Sequence, residues 1–242
     1  MIKVHPTDAM LHAYVAGDLN SASGLVVLAH LDMCPHCQRM INEIENELSE
    51  DFELHSNSSS LNDVDMQLML DAIFSSSAPV AANSDSETAV ASHARQRSRK
   101  AVEPNTLDNM IYLEGKRFQL PRSLANQKHR IGPWNKMMGK MWRASINLGT
   151  EEIANLIYMD RGASVPEHTH KGTELQLIIS GSFSDEYGTY RDGDLLLLDH
   201  THQHTPQTTD EDCLLLAVMD GPLQFTSGIS RLLNPFSSLF FR

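Results

Sequence analysis

The 242-residue chain has no run of eighteen apolar residues, no basic stretch leading into an apolar one near its start, and only three cysteines. Each shortage excludes something. No segment is long and apolar enough to read as a membrane-spanning helix, and no export signal is legible, so the expectation is a cytoplasmic protein. Cys34, Cys37 and Cys213 are too few and too unevenly placed for a disulfide framework, which leaves the close pair for metal binding or redox chemistry. Positive charge is scarce in the first third, where residues 1–80 set twelve Asp or Glu against Lys3 and Arg39 and so hold −10 of the net −12. Such a surface repels nucleic acid, which is bound through Lys and Arg on its phosphates. It suits a basic protein partner, whose approach it steers; the plainer alternative is an ordinary solvated acidic domain.

The length favours two domains, and the patterning changes character along the chain to match. Thr7 or Asp8 can cap a first helix that ends at Gly17; a second spans about Leu19 to Leu31 with Gly24 as its weak point. Pro35 suits the first turn of a third, whose Met40, Ile41, Ile44 and Leu48 form an apolar stripe opposite Glu43 and Glu47. A fourth follows the serines at 57–60, with Val64, Leu68, Met69 and Phe74 at helical spacing. Residues 75–107 are small, polar and nearly free of large apolar side chains, as a linker is, and include the basic HARQRSRK at 93–100. From about Asn109 the pattern becomes short β-rich segments such as NLIYMDRG, ELQLIISGSF and DLLLLD between glycine turns, the mark of an antiparallel sandwich or barrel. The C-terminal GISRLLNPFSSLFFR reads as a last short helix, with Phe240 and Phe241 docking on the barrel or on a second subunit. The expected fold class is α+β: a helical domain at 1–77, a linker at 78–107 and an all-β barrel at 108–242.

HLDMCPHC, residues 30–37, places His30, Cys34 and Cys37 four and three residues apart, on one face if the segment is helical. Structural zinc takes a closed tetrahedral set of Cys and His, and His5, just ahead of the first helix, is the candidate fourth ligand. His12, in mid-helix, and His36, turned away between the cysteines, rank lower. A thioredoxin-like redox pair and an accidental buried pair are the alternatives.

A second constellation lies in GASVPEHTHKGTELQLIISG, residues 162–181. Positions two apart share a face of a strand, so His168 and His170 point the same way and Glu174 can follow them. Two imidazoles and a carboxylate with room for a further ligand suit Fe, Mn, Ni or Zn. After Asp192, Gly193 and Asp194 the candidate fourth ligand is His204, with His200 and His202 as competitors.

His5 followed some twenty-five residues later by HxxxCxxC, in a small acidic helical domain, resembles the zinc-binding anti-sigma domain. Residues 162–181 match the first cupin motif without a gap. The second motif begins with Asp192, Gly193 and Asp194, but Asp199 and Thr201 stand where its middle Pro and Gly belong. The two together, with LPR and Trp134 leading into the barrel, resemble the ChrR family of anti-sigma factors across nearly the whole chain. That resemblance implies a cupin barrel and two zinc ions per chain, one at His5, His30, Cys34 and Cys37 and one at His168, His170, Glu174 and His204. It implies an N-terminal domain that holds an extracytoplasmic-function sigma factor inactive. It implies a cupin needed for release when singlet oxygen or organic hydroperoxides appear, with no direct contact to nucleic acid or membrane and no catalytic activity. The rival reading is a cupin metalloenzyme, such as a dioxygenase of small diketone-like molecules, carrying an unrelated zinc module. A weaker third is a zinc-assembled scaffold.

Overall fold

The computed structural model describes residues 1–56, 63–75, 109–149 and 153–236, and the chain divides into two compact units. Met1–Asn46 and Asn105–Arg242 form one; Glu47–Pro104 form the other. The expected linker at 78–107, its basic stretch, and Phe240 and Phe241 lie outside the described residues.

Helix α1 (Asp8–Ala16) starts where the Thr7 hydroxyl accepts the Met10 N–H and stops where Gly17 turns left-handed at φ 77°. Helix α2 (Ser21–Met33) is capped by the Asn20 side chain, which accepts from Ser23, and it runs through Gly24 unbroken. Helix α3 (Pro35–Ser56) begins on Pro35 and buries Ile41 and Ile44 with Leu11, Val27 and Leu31. Leu48, the last member of its stripe, is exposed. In the second unit, helix α4 (Asp63–Ser75) exposes Met66, Leu68, Met69 and Leu70.

The β-rich part opens with a hairpin of β1 (Met110–Leu113) and β2 (Lys116–Gln119), then a one-turn helix, α5 (Arg122–Ala125). The main sheet is antiparallel. Its strands are β3 (Asn135–Lys136), β4 (Met141–Ile146), β5 (Ile153–Met159), β7 (Glu174–Ser184), β8 (Thr189–Arg191), β9 (Leu195–Leu198) and β10 (Cys213–Met219). They run in the order β3-β4-β5-β10-β7-β8, with β9 also paired to β7. Strand β6 (His168–His170) pairs with β11 (Leu223–Phe225), and a 3-10 turn at Ile229–Phe236 follows.

Strand β10 is buried at every position, and its alternation divides it between two cores. Cys213, Leu215 and Ala217 join Met159, Ile178 and Phe183; Leu214, Leu216 and Val218 join Leu156, Tyr158 and Leu177. The second of these cores also contains Ala22, Leu25, Val26 and Ala29 of α2, so the helix covers a face of the sheet. Helix α2 is apolar around most of its girth, which calls for burial on two sides. Val27 and Leu31 meet α1 and α3, while Leu25 and Val26, each worth about 1.5–3 kcal/mol when buried, meet the barrel. The Ser123 N–H donates to Asp32 Oδ2 at 2.6 Å and ties the end of α2 to α5.

Gly181, which closes the first cupin motif, sits at φ 86°, and a Cβ there would fall on the Asp212 carbonyl oxygen. Gly181→Ala therefore combines left-handed strain with a clash against backbone, and should destabilise the chain by about 2–4 kcal/mol. Urea unfolding measures it; an unchanged midpoint would show that β7 and β10 can part locally at no cost.

Candidate metal centres

The first cluster forms at the break between α2 and α3. The residue before a proline is disfavoured in the helical region, so Cys34 leaves α2 in an extended conformation, φ −119° and ψ 96°, ahead of Pro35. The motif is thus shared by a helix end, a corner and a helix start. His30 projects from the last turn of α2, Cys37 from the first turn of α3, and His5 arrives on the extended N-terminal segment.

His5 Nδ1 lies 3.5 Å from Cys34 Sγ and 3.4 Å from Cys37 Sγ, and His30 Nε2 is 3.3 Å from Cys37 Sγ. One donor atom from each of the four residues falls within 4.8 Å of the others. With zinc bonds of about 2.0–2.1 Å to nitrogen and 2.3 Å to sulfur, a tetrahedral centre has N···S edges of about 3.5 Å. The spacing fits. His12 and His36 are both exposed, although the His36 ring packs edge-on against His5.

Protonation favours the same reading. The Gly193 carbonyl, 2.8 Å from His30 Nδ1, can only accept, so Nδ1 carries the proton and Nε2 offers its lone pair to the cluster. Burial pushes His30 down to about 4, which keeps the ring neutral. Burial, with Cys34 beside it, pushes the Cys37 thiol up to about 12. The Cys37 thiol facing the neutral His30 ring finds no positive charge there to stabilise a thiolate, and a bound cation would supply that charge.

The second cluster is made by β6 and the loop after β9. His168 and His204 exchange backbone hydrogen bonds at 3.1 and 3.0 Å, which brings His204 rather than His200 or His202 to the pair on β6. His170 Nε2 and His204 Nε2 are 3.3 Å apart, the N···N edge of about 3.3 Å that tetrahedral bonds of 2.0–2.1 Å give. His168, His170 and His204 are all buried and form one group. His168 Nδ1 donates to the Pro166 carbonyl at 2.9 Å, and burial, with His204 nearby, pushes it down to about 4.

Glu174 stands beside this group and outside it. Its Oε2 lies 3.0 Å from His170 Nδ1 without the alignment of a hydrogen bond, and has no other partner. Burial acts to raise this carboxyl, yet the neighbouring His170 holds it below the usual range. An ionised, buried carboxylate oxygen lacking a hydrogen bond, next to three inward imidazoles, fits a cation.

Sequence reasoning missed Asp185. Its Oδ2 accepts from His204 Nδ1 at 2.9 Å, with both side chains fully buried, the carboxylate–histidine pairing that orients metal ligands. The residue sits in the turn SDEYG, and nothing in its spacing from His204 announces the contact. His202 pairs instead with Asp199 at 2.9 Å, and His200 is exposed. Cys213 is fully buried, and burial pushes its thiol up.

Residues 128–224 match the family model of the ChrR cupin-like domain, and residues 6–38 match a zinc-finger family model. Over 241 residues the chain is 31% identical to the anti-sigma-E factor ChrR of Cereibacter sphaeroides, covering 97% of this chain and 98% of that one. The chain belongs to the ChrR family of anti-sigma factors. The crystal structure of Rhodobacter sphaeroides SigE in complex with the anti-sigma ChrR aligns with TM-score 0.63 at 25% identity, over 91% of this chain and 100% of that chain. ChrR-family membership makes the chain a regulator and not an enzyme, and the helical segment followed by a cupin agrees with that architecture. The zinc-finger match over 6–38 spans His30, Cys34 and Cys37 and points to zinc. Among the described residues no helix is long and apolar enough to cross a membrane.

Proposed function

We propose that this ChrR-family chain is a cytoplasmic anti-sigma factor that holds an extracytoplasmic-function sigma factor through residues 1–77, and that the cupin at 108–242, beyond a linker at 78–107, releases it on oxidative signals. The observation that carries the reading is the presence, in one chain related to ChrR over its whole length, of two separate groups of converging ligand atoms. The ligands proposed for the first zinc are His5, His30, Cys34 and Cys37. For the second metal they are His168, His170, Glu174 and His204, with Fe, Mn or Ni as alternatives to zinc.

Zinc at the first centre supplies a cross-link and stabilises thiolates at neutral pH. The chain's own residues do the rest. Cys34 and Cys37 join the α2–α3 corner to His5, so that a small helical segment with a limited core of its own keeps one geometry. The acidic surface steers a basic partner and rejects nucleic acid. Exposed Met66, Leu68, Met69 and Leu70 on α4 offer apolar contact to the sigma factor.

At the second centre, Asp185 and Pro166 fix the tautomers of His204 and His168. Singlet oxygen or an organic hydroperoxide attacking imidazole there would remove a ligand and loosen the loop that carries it. Moving the complex from nearly all bound to nearly all free needs about 5.5 kcal/mol of differential stabilisation, or irreversible loss of one state.

Native mass spectrometry of the tagged chain, purified from its own cells without chelator, tests the proposal. A one-to-one complex with a basic protein of sigma-factor size carrying two zinc ions is the expected result. A chain recovered alone, or as a homodimer with iron in the barrel, would overturn it in favour of the metalloenzyme.

A further inference from the structure

Three contacts of the first centre converge on the turn between β8 and β9. The Gly193 carbonyl accepts from His30 Nδ1 at 2.8 Å, both groups buried. Asp194 Oδ1 accepts from the Lys3 and Val4 N–H groups at 2.6 and 3.0 Å, directly ahead of His5. The Leu195 N–H donates to the Val4 carbonyl at 3.1 Å, as one rung of a ladder would. The turn is itself closed by Asp194 Oδ2, which accepts from the Arg191 N–H at 2.9 Å. Gly193 is at φ 86°, and a Cβ there would run into Ile2. Asp194 is 2% exposed and makes all three of these bonds to backbone N–H groups.

The geometry points to this barrel turn as the outer shell of the N-terminal metal centre: Gly193 sets the tautomer and ring plane of His30, and Asp194 and Leu195 place the strand that delivers His5. Cys34 and Cys37 sit at the α2–α3 corner and pack with Leu11, Val27 and Ile41, while the turn's hydrogen bonds go to His30 and to the residues ahead of His5, so the turn acts on the two imidazole ligands. The centre is therefore complete only while the N-terminal segment is docked on the barrel. Strand β9 leaves this same turn and ends with Leu198 paired to Glu174, so four residues span from one centre to the other. The inference rests on the metal reading proposed above, and it adds a physical route by which the barrel bears on the helices.

Cobalt(II) is the probe, bound to the full-length chain. Thiolate-to-cobalt charge-transfer absorption reports the centre with Cys34 and Cys37 alone, while total cobalt per chain by mass spectrometry reports both, so the difference gives the histidine centre. Asp194→Ala should weaken cobalt at the thiolate centre by about 10–100-fold, the range expected for outer-shell partners, with the histidine centre unchanged. Nitrogen-15 NMR of the zinc-loaded wild type should show His30 protonated at Nδ1 and bound through Nε2. Gly193→Ala, by displacing the turn, should lose that Nδ1 signature. If Asp194→Ala does not fold, Asp194→Asn, of the same shape but without the charge, is titrated in its place, and an intermediate weakening is the expected result. Unchanged affinity in the folded variant, with a normal thiolate band in the wild type, would overturn the outer-shell role and leave the metal reading standing. A wild type with no thiolate band would overturn both.

Discussion

Cys37→Ser is expected to cost the chain the zinc proposed at its first centre and to weaken the proposed hold on the sigma factor by at least about 100-fold, because structural zinc binding is folding free energy, on the order of 10 kcal/mol in small zinc domains. Serine keeps the size of the side chain but does not ionise, so a tetrahedral set loses a ligand at the buried start of α3, where Cys37 is fully enclosed. Both imidazoles meet this sulfur, His30 through Nε2 at 3.3 Å and His5 through Nδ1 at 3.4 Å. Zinc per chain by mass spectrometry, and sigma-factor affinity by calorimetry, should fall together. Loss of one zinc with full inhibition retained would show that this centre does not shape the sigma-binding surface.

The second large effect is expected at the barrel, in the opposite sense. His168→Ala should empty the histidine centre and abolish induction by singlet oxygen or organic hydroperoxides, with inhibition of the sigma factor intact. The substitution removes an inward ring but keeps the backbone exchange between residues 168 and 204 and the pairing of residue 168 with Phe225, so β6 stays in place. Glu174→Gln should do the same in milder form: it removes the charge of a buried carboxylate and preserves its shape. A reporter driven by the sigma factor, read with and without oxidant, separates the outcomes. High basal expression in His168→Ala would mean that the barrel centre also maintains inhibition, and the proposed division of labour between the two centres would fail.

Much of this protein was legible from residue spacing. Caps and stops at Thr7, Gly17 and Pro35 bound the helices because satisfying terminal N–H groups and leaving a helix are local problems. The pairs His168/His170 and Cys34/Cys37 declared themselves because ligand geometry demands fixed offsets within one strand or corner. His5 is a candidate by its place just ahead of the first helix and His204 by resemblance to the second cupin motif, since both come from far along the chain. Where local reading misled, the cause was a neighbour. The extended Cys34 breaks what looked like one helical face, because Pro35 follows it. The apolar girth of α2 and the unbroken CLLLAVM were signals that each is covered on two sides, but nothing in either segment says that they cover each other.

By itself the sequence determined a helical segment followed by a cupin and an acidic first third poor in Lys and Arg, and it singled out two sets of candidate ligands, through short-range spacing, composition and family resemblance. Only the tertiary structure decided that Asp185 pairs with His204, that Glu174 meets the histidine group at His170, and that Gly193 accepts from His30 while Asp194 accepts from Lys3 and Val4, just ahead of His5. The Asp185, Gly193 and Asp194 contacts join residues nineteen to one hundred and ninety-one apart in sequence. Backbone hydrogen bonding and burial bring such residues together in three dimensions, and no periodicity along the chain records the meeting.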